Sequence, residues 1–479
     1  MFKKFACLLL VFVMILGLCA CGESGAKEES KGLQVGFGRE NIMPDEITNA
    51  HLGGDDDAFR KATGFLDLLK LTCIAIDDGN GEQVLVYTSD IVGIYSNWLT
   101  SMVASVTNAT GIPKERIVFA TTHTHSGISM TYNWNGLDQY KAKVQMAMIQ
   151  TAQTALADLA PAKMSFGSSF EDDLIFVRHY TLNDGRVTSS GVADGSPTIT
   201  GYAAEKDSEM QVVMFDREEG KKDVIMMCFN PHSTFNGNVA LTDISADFPG
   251  PTRDYIESQG DYLVAYFIGD GGNQAPTTKY TPDKHGLDYK QYGQELGKRV
   301  LNLLPNLTPA ESGDLVLNSR TYNGKYNKEH LDALEQAQEV IAVHEQYGRE
   351  KSQPLAESYG IYGRTEAYAI VRRASAPDHN DMDLRVMAIG PQVSFLFAPY
   401  EMFAEHGSYM RENTVYDITF IASCTDGGEG YLPSLAAFEY GCYESYTTNF
   451  ARGTGEELAE TYLDMLSKMK EGHKESIEG

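Results

Sequence analysis

Residues 117–127 read Ile-Val-Phe-Ala-Thr-Thr-His-Thr-His-Ser-Gly: a short apolar run with a polar exit that carries two histidines. The run reads as a strand leaving its sheet for a Ser-Gly loop, and loops at strand ends are where sites are carried. Alternation puts residues i and i+2 on one face, so His123 and His125 point the same way. Two neutral imidazoles at that spacing suit zinc. A polar strand edge would show the same spacing.

Working outward, the flanking sequence repeats the pattern of strand, exit and helix. Residues 73–77 (CIAID) and 84–90 (VLVYTSD) are strand-like, and 96–111 have helical spacing that should stop at Gly111. Residues 136–160 read as a second helix, halted by Pro161. Further strands are expected over 210–216, 223–230, 262–270, 384–390 and 393–399, with a charged surface helix over 328–348 and a closing helix over 455–470. The mixture predicts an α/β fold: a single large domain with mixed β-sheets flanked by helices.

Composition bounds the function. The 479 residues are 42% hydrophobic and 10% aromatic, which excludes a disordered or collagen-like chain. A net charge of −27 argues against nucleic acid as a partner, since phosphates need Lys and Arg on one face. The N-terminus changes the membrane expectation. Lys3 and Lys4 precede an apolar run to Leu18, and a small residue, Ala20, stands before Cys21. This is the pattern of a bacterial lipoprotein signal over 1–20, with Cys21 the lipidated residue and 21–32 a polar tether. The chain is then expected to be exported and held at the cell membrane by its lipid, facing away from the cytoplasm. The domain proper spans 33–471, followed by a tail over 472–479. Cys73 and Cys228 read as buried thiols, and Cys424 and Cys442 could pair in an oxidising compartment.

Three more exits invite chemistry. Asp223 to Cys228 is an apolar run ending in Asn230-Pro231-His232-Ser233-Thr234, so His232 leaves a strand end as His125 does. A lone histidine there fits a structural role as well as a ligand's. Phe395 to Ala398 runs into Pro399-Tyr400-Glu401, where Glu401 suits either a ligand or the acidic start of a helix. The glycine-dense turn 426–433 continues to Tyr443, and tyrosines in such a loop are also packing or rim residues.

Taken in order, HTHSG, NPHST, ISADFPG (244–250), GDGGN (269–273), Pro399-x-Glu401 and GYLPS-x6-GxYE resemble the neutral/alkaline ceramidase family over residues 33 to 468. The resemblance implies one zinc held by His123, His232, Glu401 and Tyr431, with His125, Arg178 and Tyr443 lining the substrate. It implies hydrolysis of an N-acyl amide bond in a sphingolipid-like or other acylated amine. Metal-activated water would attack the carbonyl, His125 would protonate the leaving amine, and Arg178 and Tyr443 would stabilise the oxyanion. Asp247 and Asp270 are candidates to orient metal-bound histidines, or simple turn residues. The chain departs from the family where many ceramidases carry a serine: Gly271, Gly272 and Asn273 stand there. The family's C-terminal immunoglobulin-like domain is expected to be missing. Calcium or magnesium could bind an acid-rich turn such as 53–57. Two rivals stay open: an amidohydrolase barrel in which both histidines of HxH bind metal, and a surface lipoprotein that binds a solute without turning it over.

Overall fold

Both faces of the sequence's apolar runs are used. Val84 and Val86 pack with Phe395, Phe397 and Phe420 of a second sheet, while Leu85 and Tyr87, alternating with them, meet Leu99, Met102, Val144 and Met148 of two helices. A strand covered on both sides has no polar face, which is why these runs are continuous.

The computed structural model describes residues 32–478, apart from 49, 55–59, 131–132, 189–197, 219, 237–241, 279–285 and 312. The signal, Cys21, the tether to Lys31 and the acidic residues 55–57 lie outside the described residues. Described residues fall in one unit, Lys31–Gly479. Its main sheet is built from β1 (Gln34–Asn41), β2 (Lys70–Asp77), β3 (Gln83–Ser89), β4 (Ile117–Thr121), β5 (Ala160–Phe170), β6 (Glu209–Arg217), β7 (Asp223–Phe229) and β8 (Tyr262–Ile268). They lie in the order β8-β7-β6-β5-β1-β2-β3-β4. The outermost pairs, β7 with β8 and β3 with β4, are parallel, and the inner pairs are antiparallel. A second sheet runs β9 (Leu315–Lys325), β10 (His379–Ile389), β11 (Val393–Phe397) and β12 (Ile418–Ala422), with β11 parallel to β12.

The two sheets stack face to face, and helices cover their outer faces. The helices α1 (Ser96–Thr110) and α2 (Leu137–Ala157) cover one half of the main sheet, and α3 (Pro249–Gln259) and α4 (Tyr289–Leu303) the other. The closing helix, Thr454–Glu478, lies on the second sheet through Leu458, Tyr462 and Leu466. The expected α/β domain with mixed sheets and flanking helices is observed; a (β/α)8 barrel is not.

Three expectations need revision. Helix α2 ends at Ala157, and Pro161 belongs to β5, where it faces Gln34 at the end of the β1 pairing. Gly and Ser in β5 hid that strand. The helix predicted over 328–348 is α5 (Leu334–Tyr347), preceded by a single 3-10 turn, and two unpredicted helices, α6 (Arg349–Ser358) and α7 (Arg364–Ser375), follow it. Cys424 and Cys442 do not pair: both are free and buried. Among the described residues no helix is long and apolar enough to cross a membrane.

Candidate metal centre

The carboxyl ends of β4, β7, β8, β11 and β12 converge, and parallel strand ends of this kind are where α/β folds bind ligands. The two sheets are tied together at that point. Thr121 donates its backbone N–H to Cys424 (3.2 Å), and Asp426 donates to Phe119 (2.7 Å). Asp426 also accepts from the Phe119 N–H through Oδ1 at 2.8 Å and lies 3.2 Å from Arg385. Here three non-glycine residues adopt positive φ: His123 (56°), Cys424 (53°) and Asp426 (57°). Such backbone costs about 1–3 kcal/mol per residue and persists where the surroundings over-determine it, often at functional sites.

The donor atoms follow from which carbonyls hold the rings. His123 Nδ1 donates to Val92 O at 2.6 Å, and His232 Nδ1 donates to Gly271 O at 2.9 Å. With both rings neutral this leaves a lone pair on each Nε2, and the two nitrogens stand 3.0 Å apart. Against burial, Cys424 and Glu401 raise His123 well above the usual histidine range, so that without a metal a proton holds this point. Two neutral acceptors facing each other cannot hydrogen-bond, so a proton or a metal ion must stand between them. Glu401 Oε2 lies 3.3 Å from each Nε2 and is buried without a hydrogen-bond donor. Three buried groups converging on one point call for a positive charge between them, a proton on His123 or a metal ion, and His-His-carboxylate donors fit a divalent metal. His125 Nε2 is 3.3 Å from His123 Nε2, so the third imidazole borders the same point. Its ring lies against Gly54, where a Cβ would approach Cγ to 2.3 Å. Burial, and then the charges around them, hold His125 and His232 well below the ordinary histidine range, so both are neutral donors of a lone pair at neutral pH.

The other expected residues surround this point. Tyr431 pairs with Glu401 in a short parallel bridge, its ring 6.2 Å from that of His232. Burial and Glu401 raise its hydroxyl well above the usual phenol range. Tyr443, at the start of a short helix (Tyr443–Thr447), sits edge-on to Tyr431 at 5.9 Å. Arg178 lies 5.5 Å from the Tyr431 ring centre and bonds Gly272 O through Nη2 at 2.7 Å. A cleft of about 180 Å3 opens beside His123 and Glu401, walled by Val92, Ile94, Tyr95, Cys424 and several glycines. Neither Asp247 nor Asp270 bonds an imidazole. Asp247 caps the Asn236 and Phe248 N–H groups, Asp270 pairs with Arg411 at 2.9 Å, and backbone carbonyls orient the rings instead.

Sequence reasoning missed Cys424, whose Sγ lies 3.5 Å from His123 Nδ1, and the buried His179 and Glu444. The last two are the immediate neighbours of Arg178 and Tyr443, which was the available signal.

Glycine at 271 and 272 has a steric reason. Gly271 O holds His232, Gly272 O holds Arg178, and a Cβ on Gly272 would lie 2.6 Å from Glu401 O. Gly272→Ala should therefore shift residues 401–402 and weaken metal binding at least tenfold, on the scale seen when groups supporting a ligand are lost. Gly201→Ala, where a Cβ meets nothing within 4 Å, is the control. Chelator competition measures both, and equal affinities would refute the steric account.

No protein-family model and no curated protein sequence matches the chain. Solved structures do match. A crystal structure of neutral ceramidase from Pseudomonas aeruginosa superposes with a TM-score of 0.71 at 16% identity, covering 92% of this chain and 75% of that one. A ceramidase complexed with C2 gives 0.69 at 17% identity over the same shares. The fold of this chain is thus the one found in those ceramidase structures.

Proposed function

We propose that this chain is a zinc-dependent hydrolase that cleaves an N-acyl amide bond, with His123, His232, Glu401 and Tyr431 holding one zinc. The observation that carries the reading is the convergence of three acceptor atoms at 3.0–3.3 Å with both Nδ1 atoms committed elsewhere. Tetrahedral ligands about 2.0–2.1 Å from a zinc stand about 3.3–3.4 Å apart, so the donors are already spaced for it. The fold's occurrence in ceramidases supports the choice of reaction.

When bound, zinc supplies Lewis acidity toward a carbonyl oxygen and lowers the pKa of a water toward neutrality. The residues do the rest. His125, kept neutral by burial, takes up a proton at Nε2 as water attacks the acyl carbon. It returns that proton to the nitrogen as the C–N bond breaks. Arg178 and Tyr443 donate hydrogen bonds to the oxygen that gains charge. The substrate is a sphingolipid-like or other acylated amine, presented at the membrane to which Cys21 tethers the exported chain.

The test is a panel of N-acyl amines, ceramide included, offered to the lipid-anchored chain and to His125→Ala. Wild type should hydrolyse at least one member. His125→Ala should keep its zinc and lose about 10²–10⁴-fold in rate, the usual worth of a positioned acid–base group. Because His125 Nε2 borders the donor cluster, loss of zinc in this variant would instead make His125 a ligand. Absence of turnover beside tight ligand binding would favour the non-catalytic lipoprotein.

A further inference from the structure

Behind Arg178 lies a chain of buried polar groups with no part in the steps above. Glu444 is 1% exposed and uses both oxygens: Oε1 meets Arg178 Nη2 at 2.7 Å and Oε2 meets His179 Nε2 at 2.8 Å. His179 Nδ1 is 2.9 Å from the Tyr440 hydroxyl. A neutral His179 satisfies every contact: Tyr440 donates to Nδ1, Nε2–H donates to Glu444, and Glu444 accepts from Arg178. The cluster His179, Cys442 and Glu444 has the composition of a metal site. Its donors are already taken, Arg178 occupies the cation's place, and burial pushes the Cys442 thiol up, so it stays protonated.

We infer that Glu444, braced by His179 and Tyr440, is a positioning residue that holds Arg178 beside the metal centre; this rests on the hydrolase reading above. The physical need is repulsion. A guanidinium and a divalent cation close together in a low-dielectric pocket drive each other apart. Arg178 is close enough to the donor cluster that its charge bears on both His125 and His232. Glu444 supplies the compensating charge from the far side, and Gly272 O fixes the same Nη2 at 2.7 Å. Against the cost of burial, the Arg178 charge and the hydrogen bond from His179 hold the Glu444 carboxyl down at about 2, so it stays ionised. The arginine can then present donors to a developing oxyanion without leaving the pocket.

The test uses the zinc-loaded full chain and octanoate, a carboxylate of the class that hydrolysis would release. Affinity and zinc content are measured for wild type, Glu444→Gln, Arg178→Ala and the double variant. Glu444→Gln should bind octanoate about tenfold more weakly, the scale of one charge-assisted hydrogen bond. Its zinc content should not change, and the double variant should be no weaker than Arg178→Ala alone. Tyr440→Phe removes one hydroxyl from the far end and guards against misfolding. It should cost about threefold in wild type and nothing in the Arg178→Ala background. Multiplying losses, or wild-type affinity in Glu444→Gln, would overturn the inference. So would a wild type that does not bind octanoate. Turnover of the amide panel is read separately: its absence would sink the hydrolase reading while the binding cycle still decides this one.

Discussion

The double variant His123→Ala/Glu401→Ala should retain no zinc after purification, against about one per chain in wild type. Two of the donor atoms that surround one point are removed, and His232 with Tyr431 cannot replace them. The variant should still fold. Glu401 Oε2 is buried without a donor, so deleting it removes an unsatisfied group rather than creating one. Added zinc at 100 times its Kd should stabilise wild type by about 2.7 kcal/mol and the variant not at all. Any N-acyl hydrolysis should fall by at least about 10³-fold, in line with losing the main stabiliser of developing charge. A variant that still held stoichiometric zinc would move the metal away from His123 and Glu401.

Arg253→Met should cost about 3–5 kcal/mol in equilibrium unfolding, because it strands a buried charge. Arg253 and Asp90 are 1% and 0% exposed and form a paired fork at 2.8 and 2.6 Å. Asp90 also accepts from the Lys70 backbone N–H (2.8 Å) and the Thr122 hydroxyl (3.2 Å). An uncompensated Asp90 therefore disturbs the residue just before His123, and zinc affinity should fall with stability. Asp90→Asn/Arg253→Met should recover part of the loss, since the stranded charge is gone. A single-variant cost below about 1 kcal/mol would show that Asp90 finds solvent or another cation.

Much of this site was legible because its donors leave apolar strands in recognisable company. His123, His232 and Glu401 each follow a run that could only be buried, and a residue just past such a run has few places to go. The fold class was legible for the same reason. What escaped was whatever lacked that contrast. Strand β9, LVLNSRTYNGK, is polar because most of it is exposed, and it reads as loop until β10 pairs with it. The orienting acceptors escaped too: Val92 O and Gly271 O are backbone atoms, which no side-chain pattern announces. Asp270 was the plausible substitute, and the sequence holds no sign that Arg411 claims it from 141 positions away.

The stitching of β4 to residues 424–426 has a consequence for how the molecule matures. His123 and Glu401 are 278 positions apart, and they meet only once the two sheets have docked. Closing so long a loop is slow, and no partly folded chain holds more than a fragment of the donor set. On the metal reading, capture would then be a late event that reports completion: a chain whose sheets have not docked stays empty, and the last step of assembly also switches the pocket on.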